Sequence, residues 1–426
     1  MSLYDNPQEF SALKLDPQDS TYTAGQSLPF QRWFKFKEAF SPQLVYGVMD
    51  ALPVRPRVAL DCFAGSGTTA LSCQLVGIES YSVEVNPLLQ DVIESKLTAA
   101  SASLFVTTLQ RVVRRARALR PSVPKLRKRL PPTFVEPGVK GRFIYFLPAA
   151  VAIESIRQAI SEEASVIDRR LMTVALGSIL IEVSNVRVDG KGRRYRQGWE
   201  HRPIGANEVF QAFYQRTTEM AEDLAAMTAV PRGAFTLLKG DCRQHLSSIT
   251  KPVDMVLFSP PYPNSFDYTD IYNVELWMLG YLDSAEQNRI LRQSTLRSHV
   301  QVQWPQGKPE LPDSKALAVT YGLLGEARKQ LWNQTIPEMV TGYFEDLAHI
   351  LKTLKPKLSE VGTIGMVVGN SQYAGVVIDT PKILSELATP MGYEVINQTE
   401  LRSMRTSHQQ HRTEGLLESL LVLRNR

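Results

Sequence analysis

Val58-Ala59-Leu60-Asp61-Cys62-Phe63 runs straight into Ala64-Gly65-Ser66-Gly67-Thr68-Thr69. A short apolar run bounded by a turn signal reads as a buried strand. A helix-like stretch comes next, and then Glu79-Ser80-Tyr81-Ser82-Val83-Glu84-Val85, a second strand ending in an acid. Strand, glycine turn, helix, strand, acid is the order of a nucleotide-type βαβ unit. It predicts an α/β fold with ligands at the carboxyl ends of parallel strands. Gly65 and Gly67 let a backbone approach a ligand closely. Glu84 brings a carboxylate that accepts from both hydroxyls of a ribose. No glycine stands at position 70, which departs from the dinucleotide pattern, and no Gly-Lys-Ser/Thr follows for a phosphate loop. A plain strand-to-helix turn without ligand is the competing reading.

A second signal lies far down the chain. Val253-Asp254-Met255-Val256-Leu257-Phe258 reads as another buried strand, and Ser259-Pro260-Pro261-Tyr262 follows it. The prolines stiffen this turn and carry no N–H to compete for a substrate. The Ser259 hydroxyl and the Pro260 carbonyl are two neighbouring acceptors, a pair suited to an exocyclic NH2 group. Tyr262 adds a flat ring on which a base can stack. Alone, paired prolines mark ordinary loops.

Together, Phe63-Ala64-Gly65-Ser66-Gly67 and Ser259-Pro260-Pro261-Tyr262 resemble the two motifs of the DNA amino-methyltransferases, which methylate cytosine N4 or adenine N6. The resemblance covers roughly residues 30–100 and 233–426, in the order cofactor loop first. It implies a Rossmann-like class I methyltransferase sheet, S-adenosylmethionine as cofactor, and direct methyl transfer to a base flipped out of double-stranded DNA. The implied cofactor residues are Asp61, Phe63, Ala64, Gly65, Ser66, Gly67, Thr68, Glu84 and Val85. Asp241 and Cys242 after the apolar Phe235–Leu238, Phe40-Ser41-Pro42 before the glycine loop, and Ser259 itself complete the set. Ser259, Pro260, Pro261 and Tyr262 are the implied catalytic loop. Asp267 and Tyr268, just beyond it, are expected to shape the base pocket. Within the family, Ser-Pro-Pro leans to cytosine N4 and Asp- or Asn-Pro-Pro to adenine N6. RNA methylation, protein-glutamine methylation and a non-enzymatic relict remain as rival readings. A cognate restriction endonuclease or defence-system protein is the protein partner that the resemblance implies.

Composition fits such an enzyme. The chain has 426 residues and a net charge of +5, and its three cysteines form no C-x-x-C pair. They argue for a reducing compartment and against a disulfide framework or a zinc site. No metal is expected. The start, Met1-Ser2-Leu3-Tyr4-Asp5, has neither a basic nor an apolar signal region, so a cytoplasmic protein is expected. The most apolar stretch, Leu171 to Val183, is too short to span a bilayer.

Residues 1–100 read as an N-terminal arm and the cofactor half, and 233–426 as the catalytic half. Between them, 101–232 read as an inserted, mainly helical domain. Residues 284–335, broken by prolines, suit a lid or recognition segment. From Arg111 to Arg142 cations crowd together with only Glu136 against them, a pattern that attracts phosphate or simply solvates a surface. Arg187, Lys191, Arg193, Arg194 and Arg196, interleaved with Gly190, Gly192 and Tyr195, suit a loop that contacts DNA. Arg402, Arg405, His408, His411 and Arg412 are expected on a hairpin loop between the last two strands.

Overall fold

A computed structural model describes residues 16–189, 192–227, 233–301, 303–304, 307, 309–404 and 416–426. In chain order its strands are β1 (Val58–Asp61), β2 (Glu79–Glu84), β3 (Val186–Asp189), β4 (Gly192–Tyr195), β5 (Phe235–Lys239) and β6 (Val253–Phe258). They continue with β7 (Leu358–Gly369), β8 (Ser371–Tyr373), β9 (Val376–Ile378), β10 (Tyr393–Met404) and β11 (Leu416–Asn425).

Seven of these form one sheet in the order β10-β11-β7-β6-β1-β2-β5. Neighbours pair in parallel except β11, which runs antiparallel to both β7 and β10. This is the Rossmann-like, mostly parallel α/β sheet that the sequence predicts. The central strands β1 and β6 are buried nearly throughout because both faces are covered, whereas the edge strands β5 and β10 are half polar and partly exposed. Period-2 alternation divides them: Ala59, Met255, Leu257, Val367, Leu420 and Val422 pack against helix Pro42–Ala51 on one face. Leu60, Val256, Phe258, Met366 and Leu421 turn the other way, against helices Ile336–Leu354 and Thr380–Ala388.

Residues 101–232 supply helices Ala102–Ala118, Val123–Arg129, Leu147–Ser161, Val166–Ile179 and Ala206–Ala226 and the β3–β4 hairpin. The first shows the local logic. Ser101 caps it by accepting from the Leu104 N–H. Phe105, Leu109, Val112 and Ala116 recur on one side and are buried, while Arg114 and Arg117 face solvent. Arg115 and Arg117 stand in the last turn, where cations complement the helix dipole. This helical layer shares one continuous hydrophobic cluster with Leu88, Val92 and Ile93 of helix Pro87–Leu97 and with Val274, Leu276 and Met278 of helix Asn273–Leu279.

Two expectations change. The Arg187–Arg196 stretch is a two-stranded hairpin through Tyr195, with Arg187 opposite Arg194 and Val188 opposite Arg193, rather than an open loop. Arg402 lies inside β10, paired with Glu418 of β11, and not on the connecting loop, because the ladder runs on to Met404. Arg405, His408, His411, Arg412 and Lys191 lie outside the described residues.

The segment before the sheet is fixed by one acid. Asp223, on helix Ala206–Ala226, accepts from the backbone N–H of Phe30 (3.0 Å), the Arg32 guanidinium (Nε 3.1 Å) and the Trp33 indole N–H (2.8 Å). Asp223 and Trp33 are buried. Asp223→Ala removes the acceptor these donors share, leaving Arg32 with Glu219 (3.2 Å). It is expected to lower the unfolding free energy by roughly 3 kcal/mol, the scale of a broken buried ion pair. Urea denaturation measures this, and a loss under about 1 kcal/mol contradicts the assignment.

Candidate active site

The glycine turn leaves β1 at Asp61. Its carboxylate accepts from the Phe63 N–H (3.0 Å) and the Thr69 hydroxyl (2.7 Å), so the first residue of the turn holds the first turn of the next helix. Gly65 and Gly67 both have positive φ, +52° and +80°. A Cβ on Gly65 would sit 2.6 Å from the Phe36 ring, so no larger residue fits. Ala64 donates to the Val83 carbonyl (3.0 Å), tying the turn to β2.

Glu84 closes the unit. Its two oxygens accept from the Gly65 N–H and the Asn86 N–H, both at 2.8 Å. Burial pushes its pKa up to about 7 against the pull of those two backbone donors. Burial pushes Asp61 up to about 7 as well. At the end of β5, Asp241 caps the following short helix by accepting from the Arg243 N–H (2.9 Å). It also holds the Arg243 guanidinium (Nη2 2.6 Å).

β6 ends at Phe258 and delivers Ser259. Among the described residues, neither the Ser259 hydroxyl nor the Pro260 carbonyl has a protein hydrogen-bond partner. The loop around these acceptors is rigidly held. The Tyr262 hydroxyl donates to Glu418 (2.6 Å), and Glu418 takes Arg402 through Nε (2.6 Å) and Nη2 (3.0 Å). The Tyr373 hydroxyl donates to the Pro263 carbonyl (3.1 Å). The Tyr262 ring lies directly on Gly369 at the end of β7, where a Cβ would come within 2.6 Å of Cε2.

One cavity of about 280 Å³ crosses the carboxyl ends of the strands and gathers the two motifs. Phe40, Asp61, Phe63, Ala64, Gly65, Thr68, Glu84, Val85, Asp241 and Cys242 line it, with Ser259, Pro260, Pro261 and Tyr262. Pro42 and Ser66 line a second, neighbouring cavity that Phe40 and Thr68 also border. Ser41 is buried and hydrogen-bonded to Asp19 (N to O, 2.8 Å), and Gly67 caps helix Thr68–Leu75. Asp267 does not face the cavity. Its carboxylate takes the Thr269 N–H (2.9 Å) and Arg292 Nε (2.6 Å), while Tyr268 begins a short helix.

The hairpin arginines are near but separate. Arg193 reaches Asp270, a few residues beyond the Ser259–Tyr262 loop (3.4 Å), Arg196 donates to the Ser184 carbonyl (Nε, 3.2 Å), and Arg194 is exposed. In the basic segment, Arg111 and Arg115 pair with Glu163, and Arg129 with Glu154. Arg114, Arg117, Arg120, Lys125, Arg127, Lys128, Lys140 and Arg142 remain exposed.

Several lining residues carried no motif. Glu418 and Arg402 reach the cavity through cross-strand pairing, and Glu38 and Tyr272 come from opposite ends of the core and hydrogen-bond each other at 2.5 Å. Ser294, Thr295, Leu296, Ser298 and His299 form a further wall. Only the tertiary fold brings these together.

Gly369→Ala is expected to push the Tyr262 ring off β7 and break its bond to Glu418. A crystal structure of the variant reads this directly, and a ring left in place with the 2.6 Å bond intact contradicts the seat described above.

The chain is similar along most of its length to three curated methyltransferases. Type II methyltransferase M.AvaI of Nostoc sp. (strain PCC 7120) is 28% identical over 414 residues, covering 88% of this chain and 81% of the relative. The protein of the same name from Anabaena variabilis matches equally. Type II methyltransferase M.BsoBI of Geobacillus stearothermophilus is 23% identical over 456 residues, covering 92% and 84%. Among solved structures, the rRNA methyltransferase aviRa of Streptomyces viridochromogenes aligns over 99% of this chain and 96% of its own, at 11% identity and a TM-score of 0.32. No family model matches.

Proposed function

We propose that this chain is a DNA methyltransferase that transfers the methyl group of S-adenosylmethionine to the exocyclic N4 amine of a flipped cytosine. The observation that carries this reading is the single cavity in which the glycine turn and its acids meet two free acceptors on a fixed loop. The similarity to Type II methyltransferases over 88% and 92% of the chain supports DNA as the substrate.

The chemistry of the lining fits that cofactor. Glu84 offers a carboxylate to a ribose diol, and Asp241 offers one to an adenine amino group. Phe40 and Phe63 supply apolar walls. Among the described lining residues the permanent cations are Lys37, which donates to the Val188 carbonyl, and Arg402, which is paired with Glu418. That set suits a nucleoside without phosphates. When bound, S-adenosylmethionine supplies a methyl group already activated by its sulfonium, so no covalent enzyme intermediate is needed.

The protein's task lies on the base side. An exocyclic amine has its lone pair conjugated into the ring. Ser259 and the Pro260 carbonyl accept its two N–H bonds, draw the nitrogen toward tetrahedral geometry and offset the positive charge that develops there. Flipping costs a few kcal/mol. Stacking on Tyr262, whose hydroxyl and underside are already fixed, returns about 1–3 kcal/mol. The exposed cations of residues 114–142 and Arg194 on the hairpin suit the phosphate backbone of DNA.

Incubation with labelled S-adenosylmethionine and unmethylated bacterial DNA, digestion to nucleosides and mass spectrometry test the proposal. N4-methylcytosine is expected. N6-methyladenine overturns the choice of base, and no methylated nucleoside overturns DNA methylation. Ser259→Ala is expected to keep cofactor affinity within about threefold and lose at least about 100-fold in turnover. Turnover like wild type contradicts the role of Ser259.

Glu84 also gives the cofactor step a pH dependence. Its pKa is raised to about 7, so it is neutral below that pH and charged above it. Only the charged form accepts from two ribose hydroxyls while still holding its two backbone donors. Affinity measured by calorimetry should therefore fall as pH drops below about 7, approaching tenfold per unit. Glu84→Gln should bind weakly at every pH and lose this slope. An unchanged slope assigns the effect elsewhere.

A further inference from the structure

Lys140, Arg142 and Arg194 are exposed, and among the described residues no acid pairs with any of them. The stretches that carry them, 138–146 and 192–198, contain no acid. Two of these cations sit on a tight tip. Val139 and Arg142 exchange backbone hydrogen bonds (3.1 and 3.0 Å) across Lys140 and Gly141, whose φ are +51° and +72°. That is a two-residue hairpin turn with both central residues left-handed. Asparagine or aspartate takes the first of these positions more readily than lysine. The turn therefore does not account for Lys140, and a residue held against its local preference points to a role outside the turn.

The tip is mounted on the β3–β4 hairpin. Behind it, the Ile144 N–H donates to the Thr133 carbonyl (3.0 Å) and the Tyr145 N–H to the Phe134 carbonyl (2.8 Å). Asn185, just before β3, donates from its backbone N–H to the Ile144 carbonyl (2.8 Å) and from Nδ2 to the Phe143 carbonyl (3.2 Å). The Phe143 ring meets Trp199 edge-on with centroids 4.9 Å apart, and Tyr195 of β4 lies 5.2 Å from the same indole. The charges of Arg142 and Arg193 both bear on the Tyr195 hydroxyl, so the tip and β4 share one surface.

That mount is fastened to the rim of the cavity at two points. Lys37, which lines the cavity, donates to the Val188 carbonyl of β3 (3.0 Å). Arg193 of β4 pairs with Asp270 (3.4 Å), two residues before the cavity-lining Tyr272.

We infer that the 139–142 tip and β4 form one clamp, in which Lys140, Arg142 and Arg194 each take a backbone phosphate of duplex DNA beside the cavity. This rests on the DNA methyltransferase reading. Three cations on two elements match a row of phosphates rather than one small anion, and duplex DNA carries one charge per about 1.7 Å of its axis. The guanidinium forks suit phosphate oxygens in pairs, and the ammonium acts as a point charge. Contacts of this kind fix register and orientation and carry no sequence information. Extruding a base turns its nucleotide about the backbone. The clamp holds the neighbouring backbone while the base enters the cavity.

Binding of the full-length protein to two unrelated DNA duplexes of equal length, titrated from about 50 to 200 mM salt, tests this. The variant combines Lys140→Asn, Arg142→Gln and Arg194→Gln, and asparagine keeps the left-handed turn. Each lost phosphate contact flattens the log–log salt slope by about 0.9, so a change of at least about 1.8 is expected, with binding at least about tenfold weaker on both duplexes. A smaller change in slope overturns the clamp. A loss that differs by more than about threefold between the duplexes makes these residues base readers instead. Tighter binding of a duplex RNA of the same length, with its slope carried by the same three residues, assigns the surface to RNA. S-adenosylmethionine affinity should stay within about threefold, the mark of an intact fold. Should the triple variant lose it, Arg142→Gln alone decides, with a slope change of about 0.9 expected and an unchanged slope overturning the clamp. A wild-type protein whose duplex binding ignores salt removes the DNA reading itself, a failure visible before any variant is made.

Discussion

Two parallel strands that hand the chain to opposite faces of a sheet cannot fill the space beyond their carboxyl ends. β1 and β6 are such a pair. β1 is followed by helix Thr68–Leu75, whose Cys73 joins the face covered by helix Pro42–Ala51. The face opposite is closed by helices Ile336–Leu354 and Thr380–Ala388. The crevice left between the two exits is the cavity; its walls are mainly apolar, and the acids at the strand ends supply polar groups within it. Asp61, Glu84 and Asp241 all stand at such ends and are nearly buried. Each is tied to a backbone N–H in the turn or helix that follows its strand.

The Ser259–Tyr262 loop depends on the opposite device. β11 enters the sheet against the direction of its neighbours, so its early residue Glu418 lies at the carboxyl edge of β7. Arg402, late in β10, pairs with it across the ladder. Tyr262 therefore hangs from the far half of the sheet while Ser259 grows out of β6. Its ring is seated on Gly369 and its hydroxyl on Glu418, so its position is set before any ligand arrives. Preorganisation of this kind is what electrostatic and stacking contributions require.

The sheet was legible because its strands are short apolar runs ending in turn chemistry, and the two motifs mark where β1 and β6 end. The rest was hidden for physical reasons. The basic segment shows only Glu136 within its own span, yet Arg111, Arg115 and Arg129 are neutralised by Glu163 and Glu154, from later in the chain. Asp267 looked available from its nearness to the prolines, but Arg292 claims it. Arg402 sat close enough to polar residues to read as loop. Its half-exposed guanidinium is typical of a strand that pairs on one side only, β10 being the sheet's edge. His299 carried no local signal, since its place on the wall comes from Ser265, thirty-odd residues earlier.

The shared hydrophobic cluster constrains how this architecture can be cut and rearranged. Residues 101–232 interrupt the sheet between β2 and β5, yet their helices bury the same apolar side chains as helices Pro87–Leu97 and Asn273–Leu279. The boundary at either end is a point in the sequence without being a seam in the packing. A chain severed there would present two greasy faces to water, and the insertion would not travel to another enzyme as a detachable module. Exchange of surface features is far less costly at the start of β4, where a Cβ on Gly192 would meet open space.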